Sequence, residues 1–410
     1  MKFAHIADCH LGSWRQPSMK ALNIKAFEKV IDKCISEKVD FILIVGDLFD
    51  IAIPSVDVLK EVAFKLRELR DKNINCYVVP GSHDYSVSGK SMISVLDRAG
   101  LCIDLSQKQA VLQENVLLYG IAGKKGGLEQ KEINEQKNYF KKLDEKISLL
   151  KKEKQIYSIL LLHTTISELL EKPLTNKIDS LSIKNLPSNF DYYALGHIHS
   201  DSFFNKNGKL AVYPGSMFPC NFSELEKQHT VNFLIVEKKK NEKENIKKIS
   251  INLKNILNLD IDANNETSLS LKEKILKELK KNNLKNSIVT LRISGILKEG
   301  KPSDIDFASL EEKARELGAY ILLRNTLQFT SKEFEIKIQE IETKSIEEIE
   351  EAAIKNAIKE GIITENDKDN IDSFMRVFNI EKIEGETSSV FESRLTKEAI
   401  KTLNLEKLWE

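Results

Sequence analysis

The sequence predicts an α/β protein, a core of sheets and helices followed by a smaller α/β unit and a helical tail. Three observations carry that expectation. Over residues 1–237, short β-rich apolar runs alternate with stretches of helical spacing. Several runs, "FILIV" and "ILLLH" among them, are apolar on consecutive positions, as strands covered on both faces are. Side chains able to do chemistry follow one run after another.

The strand runs are "KFAHIA", "FILIVGD", "NCYVVPG", "NVLLYGIAG", "IYSILLLH", "YYALGH" and "LAVYPGS". Between the early ones, residues 56–69 place Val58, Leu59, Val62, Ala63 and Leu66 on one helical face. Residues 141–154, "KKLDEKISLLKKEK", read as a charged helical insertion with a solvated face. The lysine-rich run 238–248, "KKKNEKENIKK", reads as an exposed hairpin or linker that closes the first domain, 1–237.

A smaller α/β unit is expected over 249–340. Its order is strand "KISINL", helix 270–283, strand "SIVTLRISG", helix 307–317, and strands "AYILLRN" and "EFEIKI". It has no histidine and no dense carboxylate cluster, so it is expected to bind or cover rather than catalyse. The remainder, 341–410, is helical in pattern. Ser345 and Glu348 form a capping-box signature, and Ile346, Ile349, Ala353, Ile354 and Ala357 make an apolar stripe. That stripe, with the terminal Leu403, Leu405, Leu408 and Trp409, either binds a partner or packs within the chain.

With 410 residues, 41% hydrophobic and 30% charged, the chain can bury two or three domain cores. No run approaches the roughly 18 apolar residues of a membrane helix, and "MKFAHIADCH" is too polar for a secretory signal, so the expected location is cytoplasmic. The five cysteines are scattered with no C-x-x-C pair, which disfavours a zinc–thiolate cluster and fits reduced thiols. Sixty-two basic residues balance 62 acidic ones, so any binding of nucleic acid must come from local patches. Six of the seven histidines (His5, His10, His83, His163, His197 and His199) lie in the first half, which locates the chemistry there.

Five short motifs stand at strand ends: "DCH" (Asp8–His10), "GD" (Gly46, Asp47), "GSHD" (Gly81–Asp84), "LLH" ending in His163, and "GHIH" (Gly196–His199). Open α/β sheets present ligand-binding groups at the carboxyl edge of their strands. Carboxylate oxygen and neutral imidazole suit manganese, iron or zinc, and one aspartate can bridge two cations about 3.5 to 4 Å apart. Such a pair activates phosphate and water at neutral pH, so the pattern is that of a hydrolase. A lone histidine at a strand end is more often structural; it is the order and number of motifs that point to metal. His5, alternating with Ala7, reads as a packed or supporting histidine, His229 as a surface residue, and Cys9 as buried on the opposite pleat.

In that order these motifs resemble the calcineurin-like metallophosphoesterase superfamily, over about 235 residues. The resemblance implies a two-sheet sandwich flanked by helices. "HIADCHLG" and "GDLFD" are similar to the DNA-repair nuclease branch of SbcD type, whose relatives form the nuclease half of the Mre-Rad double-strand-break complex. The arginines that protein phosphatases of the superfamily carry after GD and beside their GNH motif are replaced here by Leu48–Asp50 and Asp84–Tyr85. By resemblance, two manganese ions per subunit are implied, one on Asp8, His10 and His199, the other on His163 and His197, with Asp47 shared. Ser82 stands where the family has a ligating asparagine, and offers only a neutral hydroxyl. His83 is implied as general acid, with Asp84 orienting its ring. Asp50 replaces a histidine that some relatives use on double-stranded ends.

The same resemblance implies a single-strand endonuclease and 3′-to-5′ double-strand exonuclease, nucleoid-associated, with a DNA-contacting capping domain that carries "VTLRISG". It also implies a homodimer through Leu59 and Val95, and a tail that docks on a coiled-coil ABC-type ATPase. Leu59 and Val95 fit a core role equally well. Trp14, Arg15, Lys90, Lys124 and Lys125 lie in loops where DNA phosphates could approach, or are ordinary loop residues. Two other classes stay open: a metallophosphatase acting on a small phosphoester or phosphoprotein, and a non-catalytic scaffold for DNA ends and the ATPase.

Overall fold

The computed structural model describes residues 1–86, 89–107, 110–124, 131–170 except 132, 134 and 136, 180–206 and 209–332; in the tail it describes 354, 355, 358, 364, 377 and 388–402. The tail residues Ile346, Ile349, Ala353, Leu405, Leu408 and Trp409, the strand "EFEIKI" and Lys125 lie outside the described residues.

The chain divides into two compact units. One comprises residues 1–262, 269–294 and 306–328; the other comprises 263–268, 295–305 and 329–410.

Two six-stranded sheets form the heart of the first unit. The first combines β1 (Lys2–Ala7), β2 (Phe41–Val45), β3 (Asn75–Val79), β4 (Ile103–Asp104), β11 (Val231–Glu237) and β12 (Asn245–Ile251) in the order β12-β11-β1-β2-β3-β4. The second combines β5 (Val111–Gln113), β6 (Val116–Ile121), β7 (Tyr157–His163), β8 (Tyr192–Gly196), β9 (Ser202–Lys206) and β10 (Lys209–Tyr213) in the order β5-β6-β7-β8-β10-β9. The runs β1-β2-β3-β4 and β6-β7-β8-β10 are parallel, so their carboxyl ends emerge together.

The pleat sorts each strand between two cores. Phe3, Ala7, Phe41, Leu43, Val45, Tyr77 and Val79 of the first sheet meet Leu118, Ile159, Leu161, Tyr192 and Ala194 of the second. On the outer face of the first sheet, Ala4, Ile6, Ile42 and Ile44 pack against α1 (Pro17–Ser36), α2 (Val56–Asp71) and α3 (Met92–Arg98). Leu160, Leu162 and Tyr193 of the second sheet pack outward with Phe140 and Ile147 of α4 (Lys137–Glu153). Both sheets are therefore covered on two faces, which is why their strands read as unbroken apolar runs.

Past β11 the structure departs from expectation. "KISINL", expected to open the smaller unit, falls mainly in β12, which pairs antiparallel with β11 in the first sheet, Val231 opposite Ile251 and Glu237 opposite Asn245. The lysine-rich run is thus the turn of a hairpin and the first half of its second strand. The small three-stranded sheet begins instead at β13 (Asn255–Asp262), which pairs parallel with β14 (Ser287–Leu297), and β15 (Ile321–Ser331) completes it. Helix α5 (Phe222–Lys227) precedes β11; α6 (Ser268–Lys281) and α7 (Phe307–Glu316) follow β13 and β14, and α8 (Ser388–Thr402) lies in the tail. Among the described residues no helix is long and apolar enough to cross a membrane.

Candidate metal centre

Every motif singled out in the sequence sits at or just beyond the carboxyl end of a parallel strand. Asp8 follows β1, Asp47 follows β2, the Ser82–Asp84 stretch follows β3, His163 ends β7, and His197 and His199 follow β8. The first sheet thus contributes the carboxylates with His10 and His83, and the second contributes His163, His197 and His199. Packing the sheets face to face brings both sets to one edge.

The turns that aim these side chains are unusual in their backbone. Asp8, His10, Asp47 and His197 all have positive φ, at 50°, 42°, 46° and 98°. For residues other than glycine that conformation costs energy and persists only where surrounding bonds impose it. Here Asp8 N–H donates to the Gly46 carbonyl at 3.2 Å, and His10 N–H to the Asp47 carbonyl at 2.9 Å. His197 N–H donates to both Asp8 oxygens at 3.0 Å. The loops after β1, β2 and β8 are thereby locked to one another.

The donor atoms converge. His163 Nε2 lies 3.3 Å from Asp47 Oδ2, and His163 Nδ1 lies 3.8 Å from Asp8 Oδ1. His10 Nε2 lies 3.7 Å from Asp47 Oδ2 and 3.2 Å from His199 Nε2. Two overlapping groups result, Asp8–His10–Asp47 and Asp47–His163–His197, each with its donor atoms within 4.8 Å of one another and with Asp47 common to both. His10 Nδ1 and His163 Nε2 are buried without a hydrogen bond. Such orphaned nitrogens are costly unless another ligand uses them. The six side chains fit divalent cations in donor type and mutual distance, and all but the exposed His197 are buried or half-buried. Glycines make room: a Cβ on Gly81 would fall 2.2 Å from Asp47 Oδ1.

Electrostatics agree with that chemistry. Burial pushes the Asp8 carboxyl up, against the pull of His163 and His199. Burial acts the same way on Asp47, but there the charges of His163 and His10 win and hold it below the carboxylate range. Burial would lower His163, yet the Asp47 charge overrides this and raises it to about 9. The buried carboxylates thus demand positive charge at this edge, and a bound cation would take the place of the His163 proton. His197, though solvent reaches its ring, is lowered to about 4 by partial desolvation among its neighbours and by His163.

His83 is exposed beside these groups, its ring centroid 4.9 Å from that of His10, and its backbone N–H donates to Asp47 Oδ1 at 2.8 Å. Ser82 is half-buried next to it. The expected role of Asp84 needs correction. Its carboxylate accepts the backbone N–H groups of Gly81, Leu48 and Phe49 at 2.9, 3.2 and 3.0 Å, tying the loop after β3 to the loop after β2. The ring of His83 is oriented instead by the backbone carbonyl of Asp50, 2.8 Å from Nδ1. An adjacent aspartate on a tight turn points to the opposite side of the chain from its histidine.

Three further residues belong to the centre and gave little sequence signal. Glu224 on α5 accepts from His199 Nδ1 at 2.8 Å, which leaves Nε2 to face the site. Cys220 lies with His10 and His199 in another group of potential ligands. Buried Asn23 of α1 braces the first loop, accepting from Gly12 N–H and donating to the Cys9 carbonyl, each at 3.1 Å. The stretch "NFSE" is readable as a helix start, and Asn221 does cap α5 by accepting Glu224 N–H, but nothing in it announces His199. His5 is internal, between Tyr192 hydroxyl and Leu195 carbonyl, and His229 is exposed.

Of the residues considered for DNA contact, Arg15, Lys90 and Lys124 are exposed. The Trp14 indole N–H is committed to the Pro219 carbonyl at 2.8 Å. On the helices considered for a dimer, Val95 is exposed whereas Leu59 packs against the outer core of the first sheet. Arg292 of "VTLRISG" forks onto Glu226 of α5 at 2.9 and 2.6 Å.

Residues 1–201 match the family model for calcineurin-like phosphoesterases. The chain is 34% identical over 233 residues to the DNA double-strand break repair protein Mre11 of Archaeoglobus fulgidus, covering 55% of this chain and 52% of that protein. To the Mre11 protein of Sulfolobus acidocaldarius it is 30% identical over 308 residues, covering 72% and 75% respectively. The chain therefore spans about half the length of the first relative and three quarters of the second.

Proposed function

This chain belongs to the Mre11 family of calcineurin-like phosphoesterases, and on that premise we propose that it is a two-metal DNA nuclease that processes ends in double-strand-break repair. The single observation that carries the reading is the sharing of Asp47 between two donor groups at one sheet edge. Asp8, His10 and His199 would hold one cation, His163 and His197 the other, with Ser82 beside the second. Two bound cations supply Lewis-acid activation of phosphate and water. Manganese suits this mixed imidazole–carboxylate set.

The protein's own part is positioning and proton transfer. Asp84 holds the turn that carries His83, and the Asp50 carbonyl keeps an N–H at Nδ1. In its protonated form His83 then presents Nε2–H outward, where it can give a proton to the leaving 3′-oxygen of a phosphodiester. The exposed position of His83 suits a group that must meet a polymer rather than a sequestered metabolite.

In this reading the enzyme cuts single strands internally and degrades duplex ends 3′ to 5′. It works as a homodimer, beside a coiled-coil ABC-type ATPase at the nucleoid, and the small sheet β13-β14-β15 covers DNA. The test is manganese-dependent digestion of labelled linear and single-stranded DNA. His83→Ala should lower the rate by about 10²- to 10⁴-fold, the span of general acid catalysis, while manganese stoichiometry by calorimetry stays unchanged. Undiminished cleavage by the variant removes His83 as the acid. Faster turnover of small phosphomonoesters than of DNA would make the protein a phosphatase, and no cleavage of either substrate would make it a scaffold.

A further inference from the structure

The proposed mechanism leaves one donor at the metal centre without a task. Cys220 lies in the loop between β10 and α5, and its Sγ forms a group with ring nitrogens of His10 and His199, all three atoms within 4.8 Å of one another. The other four cysteines are buried; Cys220 is half-exposed.

The arrangement is built rather than incidental. One carboxylate fixes both neighbours: Glu224 Oε2 accepts the Cys220 backbone N–H at 2.8 Å, and Oε1 accepts His199 Nδ1 at 2.8 Å. With its Nδ1 proton committed, a neutral His199 presents a bare lone pair at Nε2, 3.2 Å from His10 Nε2. His10 is 4% exposed, and its other ring nitrogen, Nδ1, lies 3.4 Å from Asp50 Oδ1 without a hydrogen bond, so Nε2 is the atom it offers toward His199. Beside the Cys220 thiol, a cation can take the place of the single proton these two nitrogens share. Two nitrogens and one sulfur, with a fourth position open, make the donor set of a tetrahedral zinc-class ion.

We propose that Cys220 is a metal-selecting ligand: with His10 and His199 it captures soft or borderline divalent cations such as zinc, in competition with harder ions held through Asp8 and Asp47. The inference rests on the metal centre read above. On capture the S–H bond breaks, the thiolate sulfur bonds the cation and the proton leaves to solvent, with no change of oxidation state. Without the cation that S–H donates to the Phe218 carbonyl at 3.3 Å. A zinc ion drawn toward Cys220 shares His10 and His199 with the catalytic arrangement but shifts away from Asp47, so zinc should inhibit where manganese activates.

Cobalt(II) reports the sulfur directly, because a cobalt–thiolate bond adds a near-ultraviolet charge-transfer band to the visible d–d bands. Titrating the full chain with cobalt should produce both. Cys220→Ser should keep the d–d bands, which also certifies a folded site, and lose the charge-transfer band; Cys9→Ser should keep both. The preference for zinc over manganese should fall roughly 10- to 100-fold in Cys220→Ser. If wild type binds cobalt without the band, or Cys220→Ser retains it, Cys220 is no ligand although the metal centre stands. If the chain takes up no cobalt at all, the reading of the centre itself fails and this inference with it.

Discussion

His5 is fully buried between the two sheets, and its ring nitrogens face the Tyr192 hydroxyl at 3.0 Å and the Leu195 carbonyl at 3.2 Å. Burial pushes its pKa down to about 3, with the Leu195 carbonyl opposing. An unfolded histidine takes up a proton near pH 6.5, whereas this one stays neutral until about pH 3. The unfolded state therefore binds more protons across that window. Stability is complete above pH 6.5 and falls as pH drops toward 3, by up to about 1.4 kcal/mol per pH unit. His5→Gln removes this linkage. Urea unfolding in chelator at pH 7.5 and 5.5 should show the wild type losing about 1 kcal/mol more than the variant; equal losses would mean that His5 titrates alike in the folded and unfolded chain.

The turn after β2 carries a stricter demand than any single ligand. Gly46 has φ +81°, accepts Asp8 N–H, and donates to the Val79 carbonyl at 2.8 Å, so it joins three strand ends. A Cβ there would fall 1.7 Å from His163 Nδ1 and 2.3 Å from its Cγ, in a ring with no free space behind it. Gly46→Ala combines a disfavoured φ with a collision against a buried imidazole. Its expected cost is more than about 2 kcal/mol. Because His163 must move, calorimetric manganese affinity should drop in the same variant. A melting curve within about 0.5 kcal/mol of wild type, with unchanged affinity, would show that the turn can relax. Helix α5 illustrates the same point from the other side. Glu224 serves His199 and Glu226 serves Arg292, so two residues apart on one short helix the chain braces both the metal centre and the small sheet.

For the molecule as a whole, what was legible in the sequence follows from which signals are local. The strands of the first domain and the motif residues at their ends could be read, because a doubly covered parallel strand is an unbroken apolar run and its ligands come directly after it. The same lack of alternation hid which face, and so which sheet, each strand serves. β12 was divided between the run read as a hairpin or linker and the smaller unit, because an edge strand rich in lysine does not mark its own end, and the positive φ of Asp8, His10, Asp47 and His197 arises from bonds between distant loops. Glu224 and Cys220 stand more than 20 residues beyond His199, and Asp84 faces away from its neighbour, so only the folded chain reveals their partners. The proposed homodimer is a further property that exposure decides. Val56 is 80% and Val95 54% exposed, with Ile51, Ile53 and Phe64 also exposed along the approach to α2 and on its surface. Exposed apolar side chains on α2 and α3 are candidates for such a contact. Leu59 touches the core, so changing it would confound dimerisation with folding, whereas Val95 is free of that objection. Val95→Asp should convert a two-chain species to a one-chain species in light scattering at micromolar concentration, with chelator unfolding changed by no more than about 0.5 kcal/mol. A variant that keeps the mass of two chains would place the contact elsewhere, and a wild type with the mass of one chain would end the dimer proposal.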